Sequence, residues 1–316
     1  MWKKTMKLPK VLDALLRLQR PHGGVNEGVA AQIVKAAVFG YGDSSVDSFG
    51  NLRVTIGRTG VWFTSHLDTV HRGDGVQTLS LMADSNLLVA DNADGKPCIL
   101  GADDAAGVYL MTEMIRAGKP GNYMFFLGEE CGGLGSSYFI RRNQTISADI
   151  CVSFDRRGYS DVITHQGGWR TASDEFARAL SSALNCHGFK YKPSDDGLYT
   201  DSREFAELVP ECTNISVGYF DEHTSREALD IEHLYALRDA VLEIDWGALP
   251  VHRVPAPDDW MQSWNMKYGA VNGNALDVVP YTGLGERIST ALINHYEALP
   301  QDVLELLEEL EELFSD

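Results

Sequence analysis

What the chain has little of narrows its possibilities first. Only five of its 316 residues are cysteine (Cys98, Cys131, Cys151, Cys186 and Cys212), an odd number without paired spacing. That argues for reduced thiols in a cytosolic protein and against a disulfide framework. Basic residues are also scarce: 27 Lys and Arg stand against 45 Asp and Glu, a net charge of −18. This excludes non-specific binding to nucleic acid and adhesion to an anionic membrane surface, both of which need a basic footprint. No segment approaches the roughly 18 apolar residues of a membrane span. The N-terminal MWKKTMKLPKVLDALLRL has basic residues and leucines but no unbroken apolar run of about 7–15 residues, so it reads as an amphipathic first helix and not as a signal peptide. Without secretion, the glycosylation patterns at Asn143 and Asn214 carry no weight. The expectation is a soluble, acidic, cytoplasmic protein, 44% hydrophobic and long enough for one large or two smaller domains.

Apolar strands alternate with amphipathic helices along the first three quarters of the chain. Helical spacing runs over Leu8–Gln19 and over Glu27–Val38, with Asn26 as a candidate N-cap. SVDSFGNLRVTIG reads as a hairpin turning at Phe49-Gly50-Asn51. Strands are expected at Val61–Ser65, Tyr123–Leu127, Asp149–Phe154 and Asn214–Phe220. Helices are expected at Ala105–Ala117, after a Ser173 cap with Gly188 as its stop, and from an Asp230 cap to about Ile244. Such alternation indicates an α/β sheet with helices on both faces. After Trp246 the pattern weakens, and ALPVHRVPAPDDW reads as a linker. Two further helices are expected at Glu286–Leu299 and Asp302–Phe314. The last has a leucine stripe that packs on its own domain or, as the second reading, joins two copies into a homo-oligomer. Domain organisation is read as a catalytic domain over residues 1–245 and an extension of unknown role over 246–316.

The chemistry gathers at the ends of these elements. VWFTS runs into His66 and Asp68; YMFFLGEECGGLG carries Glu129 and Glu130; DICVSF ends in Asp155; NISVGYF leads through Asp221 and Glu222 to His223; and Asp103-Asp104 open a helix. In an open α/β sheet, ligands bind beyond the carboxyl ends of the strands. Two histidines with several carboxylates suit a divalent metal of the zinc type, whereas magnesium and calcium prefer oxygen alone. Two adjacent metals need a shared ligand, and a carboxylate can bridge where an imidazole cannot. Asp68 lies two residues beyond His66 on the same side of an extended chain, so it could accept the second imidazole N–H. Taken singly, a strand-end histidine is more often a capped or solvated residue. Asp103-Asp104 would equally complement a helix dipole. GEECGGLG lacks the lysine of a phosphate loop. Five such sites at five element ends are harder to explain by structure alone.

In order and content, HLDTV, LGADDAAG, GEE and a later Asp and His resemble the co-catalytic zinc exopeptidases over roughly residues 8–245. That resemblance implies a three-layer sandwich with a mixed, mostly parallel central sheet. It implies two divalent metal ions, zinc first, with Co2+ or Mn2+ as alternatives. By position, His66 and Asp155 would hold one ion and Glu130 and His223 the other, with Asp103 between them. Glu129 would be the general base and Asp68 the partner of His66. Only 36 residues separate His66 from Asp103 and 67 separate Asp155 from His223, too few for an inserted lid domain. The intervals resemble the single-domain aminopeptidase branch, while HLDTV and LGADDAAG also resemble peptidase T. Arg156-Arg157 beside Asp155 read as surface charge or as ligands for a substrate carboxylate, as do Arg203 and Arg226; Asp201 could bind a substrate amino terminus. His71 and His165 receive no ligand role. The function expected is peptide hydrolysis by an aminopeptidase or a di- or tripeptidase. The alternatives are an N-acyl amino acid deacylase or carboxypeptidase, and an inactive metal-binding scaffold.

Overall fold

The computed structural model describes residues 8–83 and 85–255. The two helices expected beyond residue 286, and any oligomer contact through them, lie outside the described residues. Eight strands form the main sheet: β1 (Asp43–Val46), β2 (Leu52–Ile56), β3 (Val61–His66), β4 (Gly121–Phe126), β5 (Ile150–Arg156), β6 (Asp161–Ile163), β7 (Lys192–Ser194) and β8 (Glu211–Ser216). Their spatial order is β7-β6-β8-β5-β3-β4-β2-β1. The central strands β8, β5, β3 and β4 are mutually parallel. β2 and β1 on one side, and β6 on the other, pair with their inner neighbours antiparallel. Every residue of β3, β4 and β8 is buried, which explains why they read as short runs without solvent-facing alternation.

Successive side chains of a strand face opposite ways, and here each face has its own core. Phe63, Tyr123, Phe125, Val152 and Phe154 face α1 (Lys10–Leu16), α2 (Val25–Ala37), α3 (Ala102–Arg116), α5 (Asp174–Asn185) and α6 (Ile231–Glu243). Trp62, Met124, Phe126 and Cys151 face α4 (Leu134–Arg142) and the short helical turn Asp201–Phe205. The result is the three-layer α/β sandwich. Phe63 stacks on Tyr123 and Phe154 at centroid distances of 5.0 and 5.8 Å, and meets the edge of Trp246 at 5.1 Å. The packed unit therefore continues past residue 245, where the sequence pattern placed a boundary. Arg253 is tied down as well, through hydrogen bonds to the Pro210 and Val209 carbonyls and from its amide to Glu211.

Several local expectations shift. α1 stops at Leu16, and Leu18–Gln19 pairs instead as a short antiparallel strand with Gly75–Val76. Asn26 is not a cap: it lies inside α2, and its side chain donates to the Gln19 and Gly75 carbonyls, both at 2.9 Å. The first amides of α2 are satisfied by Asp74, whose two oxygens accept from Val25 and Asn26 at 2.9 Å. Ser173 and Asp230 cap α5 and α6 as the sequence indicates. The hairpin turn is organised by Asp47, whose Oδ1 accepts three successive amides, Phe49, Gly50 and Asn51. Asn214 is buried in β8, so its sequon is internal to the sheet. Where α3 crosses β3 and β5, Gly107 is indispensable: a Cβ there would lie 2.4 Å from the Phe154 carbonyl and 2.5 Å from Ser65 Oγ.

Beside the main sheet lies a smaller one of five strands, Thr78–Leu81, Leu87–Asp91, Pro97–Cys98, Ala228–Asp230 and Tyr219–Phe220. Its first two strands are the hairpin between His66 and Asp103.

Candidate metal centre

β3 delivers His66 to the carboxyl rim of the sheet, where it is 1% exposed. Its amide donates to Asp104 at 3.3 Å, and its ring Nδ1 lies 3.1 Å from the Asp68 carbonyl and 3.4 Å from Asp68 Oδ1. With Nδ1 engaged below, Nε2 faces the rim, 2.9 Å from Asp103 Oδ1 and 3.8 Å from Asp155 Oδ1. The other Asp103 oxygen lies 3.1 Å from His223 Nε2, which in turn is 2.9 Å from Glu130 Oε1. One carboxylate thus stands between two imidazoles, with Asp155 on the far side of one and Glu130 beside the other. All five residues singled out by sequence as ligand candidates meet here, and Glu129 lines the same cavity of about 310 Å³.

The supporting contacts differ from those the sequence suggested. Asp68 does more than face His66: its two carboxylate oxygens accept the Glu129 and Glu130 amides at 3.0 and 3.1 Å. Both glutamates lie beyond the end of the strand. β4 ends at Phe126, and they sit in a turn entered through Gly128 at φ 71°. His223 likewise does not extend β8. It occupies the turn after Tyr219–Phe220, with φ 63°, and Asp221 before it has φ 51°. Asp155 is held by the Thr200 and Tyr219 hydroxyls, which donate to its two oxygens at 2.6 and 2.9 Å, and by Asn214, which bonds both its amide and its carbonyl. Glu227, buried to 1% exposure, accepts the Leu100, Gly101 and Asp103 amides at 3.0, 3.0 and 3.1 Å and so secures the segment leading into Asp103. Thr200, Tyr219, Asn214 and Glu227 had no signal in the sequence beyond being polar, because their partners are tens of residues away.

The electrostatics are those of a crowded acidic rim. Burial, then the Asp103 charge, pushes Glu130 up to about 7, and the same two causes raise Asp155. Burial and then Asp155 raise Asp104 well above its ordinary value. Burial works against a charged His66, yet its hydrogen bonds to Asp103, Asp155 and Asp68 outweigh this and hold it well above the usual imidazole range. Hydrogen bonds to Asp103 and Glu130 lift His223 to about 11. Among the described residues, the cations beside these acids are the two imidazolium rings and, behind them, the buried Arg20 guanidinium. A divalent ion would replace the protons, favouring ionised carboxylates and neutral imidazoles. The donor set, imidazole with carboxylate, is one that zinc accepts. Donor separations of 2.9–3.8 Å bracket the about 3.3 Å edge of a tetrahedral shell with bonds near 2 Å. The residues fit divalent metal.

The substrate candidates separate. Arg156 is spent on Asp161 and on the Asp196 carbonyl. Arg157 is half exposed, lines the cavity and pairs with Glu222 at 3.0 Å. Arg203 is buried and lines a different hollow, beside Arg141 and Glu204. Asp201 is buried at the start of its helical turn, where burial pushes it up to about 7. Arg226 faces Asp221 at 3.6 Å. His71 bonds to Thr69 and the Ile99 carbonyl and His165 to Thr164, away from the cluster.

The model of peptidase family M28 matches residues 51–238, and the chain belongs to that family, which places it among the metal-dependent peptidases. Over 117 residues the chain is 32% identical to the uncharacterized protein YqjE of Bacillus subtilis; the match spans 34% of this chain but 30% of that relative's length. The fold is similar to that of the aminopeptidase PepT of Bacillus cereus (TM-score 0.61, 16% identity, 74% of this chain and 95% of that one). It is similar in the same shares to a tripeptidase of Staphylococcus aureus (TM-score 0.62, 15% identity). The TET1 peptidase of Pyrococcus horikoshii also matches (TM-score 0.53, 15% identity, 74% and 97%).

Proposed function

We propose that the protein is an exopeptidase for short peptides, using two divalent ions, zinc in the first place, held by His66 and Asp155 and by Glu130 and His223 with Asp103 shared. The observation that carries this reading is the Asp103 carboxylate, one oxygen on each imidazole, beside a cavity lined by Glu129. When bound, such ions supply Lewis acidity that polarises a scissile carbonyl and acidifies water. Glu129 takes a proton from the attacking water, whose oxygen forms the new C–O bond. It then returns that proton to the amide nitrogen as the C–N bond breaks, giving a carboxylic acid and an amine that part as carboxylate and ammonium once the second water proton has moved to the amine. Asp68 keeps Glu129 aimed through its amide and braces His66 from behind.

Glu129→Gln should retain the bound metal and lose at least about 10²–10⁴-fold in kcat on peptides with a free amino terminus. Undiminished turnover would remove Glu129 from the mechanism. Activity on N-acyl substrates alone would select the deacylase reading, and metal binding without any hydrolysis the scaffold reading. Arg157, which lines the cavity and is held by Glu222, is a candidate partner for the free carboxylate of a di- or tripeptide.

The five cysteines are free thiols, which suits a cytoplasmic enzyme, and no helix among the described residues is long and apolar enough to cross a membrane. The TET1 peptidase of Pyrococcus horikoshii can assemble into a tetrahedron or a large octahedral shell, which supports self-association here too. We assign residues 8–255 to the catalytic unit.

A further inference from the structure

Behind the rim, three consecutive amides end on two buried carboxylates. Gly128 donates to Glu27 Oε1 at 3.1 Å, and Glu129 and Glu130 donate to Asp68. Glu27 is in the first turn of α2, 101 residues away in sequence from the amide it receives, and has no exposed surface. Its Oε2 accepts the Gly23 amide at 2.8 Å, and its Oε1 also faces His22 Nδ1 at 2.9 Å. His22 is itself pressed against the turn: a Cβ on Gly128 would lie 2.8 Å from the imidazole, and the ring stacks on Phe49 at 6.3 Å. Ligand atoms of His22, Glu27 and Asp68 lie within 4.8 Å of one another, close enough for a cation. Their oxygens, however, already receive four backbone amides. The cluster is an anchor for backbone, not a metal site.

We propose that Glu27 is a positioning residue: by holding the Gly128 amide it fixes the turn from which Glu129 and Glu130 project, and it acts on turnover through Glu129. The first half of this inference stands on the geometry alone, and the second rests on the hydrolase reading. An ionised acceptor binds an amide more strongly than a neutral one, and a buried amide that loses its acceptor cannot turn to water. In Glu27→Gln one oxygen becomes a donor, so either the Gly128 or the Gly23 amide faces another N–H. A displacement of about 1 Å at a reacting group is enough to cost about 100-fold in rate.

The test uses the full chain, metal-loaded, with Glu27→Gln and, should that variant not fold, Glu27→Asp, which keeps the charge but retracts it by one methylene. Amide hydrogen exchange, read by mass spectrometry, should accelerate about 10-fold or more over residues 127–133. Peptides from α5 and α6 should keep their wild-type rates. On a tripeptide at saturating metal, kcat should fall about 10- to 100-fold while KM stays within twofold. Unchanged exchange over 127–133, or an equal rise across all peptides, overturns the positioning role. Faster local exchange with undiminished kcat overturns the link to turnover. If the wild type cleaves no peptide, the proposed function fails on its own account, and the exchange measurement still decides whether Glu27 holds the turn.

Discussion

The two imidazoles of the centre stand in opposite settings. His66 ends a strand with no exposed residue, its amide is fixed by Asp104, and its side chain is 1% exposed. The His223 side chain is 47% exposed and rides on a turn between two very short strands, with a left-handed backbone at Asp221 and His223. One side of the site is part of the sheet; the other is brought to it by a loop. Glu130, the neighbour of His223, is also on a turn, but that turn is pinned by buried carboxylates. A side chain placed by the core costs stability when it is removed, whereas one placed by a loop costs mainly function.

The sharpest way to break this contrast is to remove each histidine. His66→Asn and His223→Asn should both abolish peptide turnover, by about 100-fold or more, because each removes a proposed ligand. Asparagine tolerates the left-handed backbone at 223, so strain does not confuse the comparison. In chelator, urea unfolding should show His66→Asn destabilised by about 1–3 kcal/mol, since Asp68 and Asp103 lose a buried partner. For His223→Asn the expected change is within about 0.5 kcal/mol. Equal losses would mean that the two sides are built alike.

A pH series sharpens the same point. Glu130 and Glu227 are each pushed to about 7, above their ordinary 4.5, by burial and then by Asp103. Folding therefore takes up protons between about pH 4.5 and 7, and the metal-free protein should lose stability as pH rises through that window. His223 has the opposite charge but the same trend. Its stabilisation is complete below 6.5 and fades as pH rises toward 11, and it is small because the group is half exposed. Saturating divalent metal should reverse the slope, because metal displaces those protons. Thermal melts at pH 5, 7 and 9, with metal and with chelator, would test this, and parallel slopes would contradict it. The smallest effect belongs to Arg157. Its replacement by alanine should raise KM for a dipeptide by about 3- to 10-fold and leave kcat and Tm in place, as expected for an exposed charge at the cavity mouth.

The parts of this site that were legible in the sequence share one property: each lies where an apolar run stops. His66, Asp155 and the Glu129-Glu130 pair follow buried strands, and Asp103 opens a helix, so position along the chain disclosed position in the fold. The clamps were not legible. Glu27 donates nothing to a local pattern, and its partner amide is at Gly128; Glu227 looks like one more surface acid, yet it holds the approach to Asp103. Asp74 caps α2 from 49 residues away, a task that local reading gave to Asn26. Backbone amides carry no residue identity, so a carboxylate that binds them leaves no paired signal in a single sequence. The single strand expected over Asn214–Phe220 is two, β8 ending at Ser216 and Tyr219–Phe220 in the smaller sheet, with Gly218 at φ 100° between them.

Gly107 has a further consequence. At position 107, α3 comes so near β3 and β5 that even a Cβ would run into the Phe154 carbonyl and the Ser65 hydroxyl. Asp103 rides at the start of that helix, and His66 and Asp155 ride on the two strands beneath it. A side chain at 107 would lift the helix off the two strands and widen the spacing between Asp103 and the residues it faces. A residue with no functional group of its own thus helps to set the distances among candidate ligands carried by three different elements.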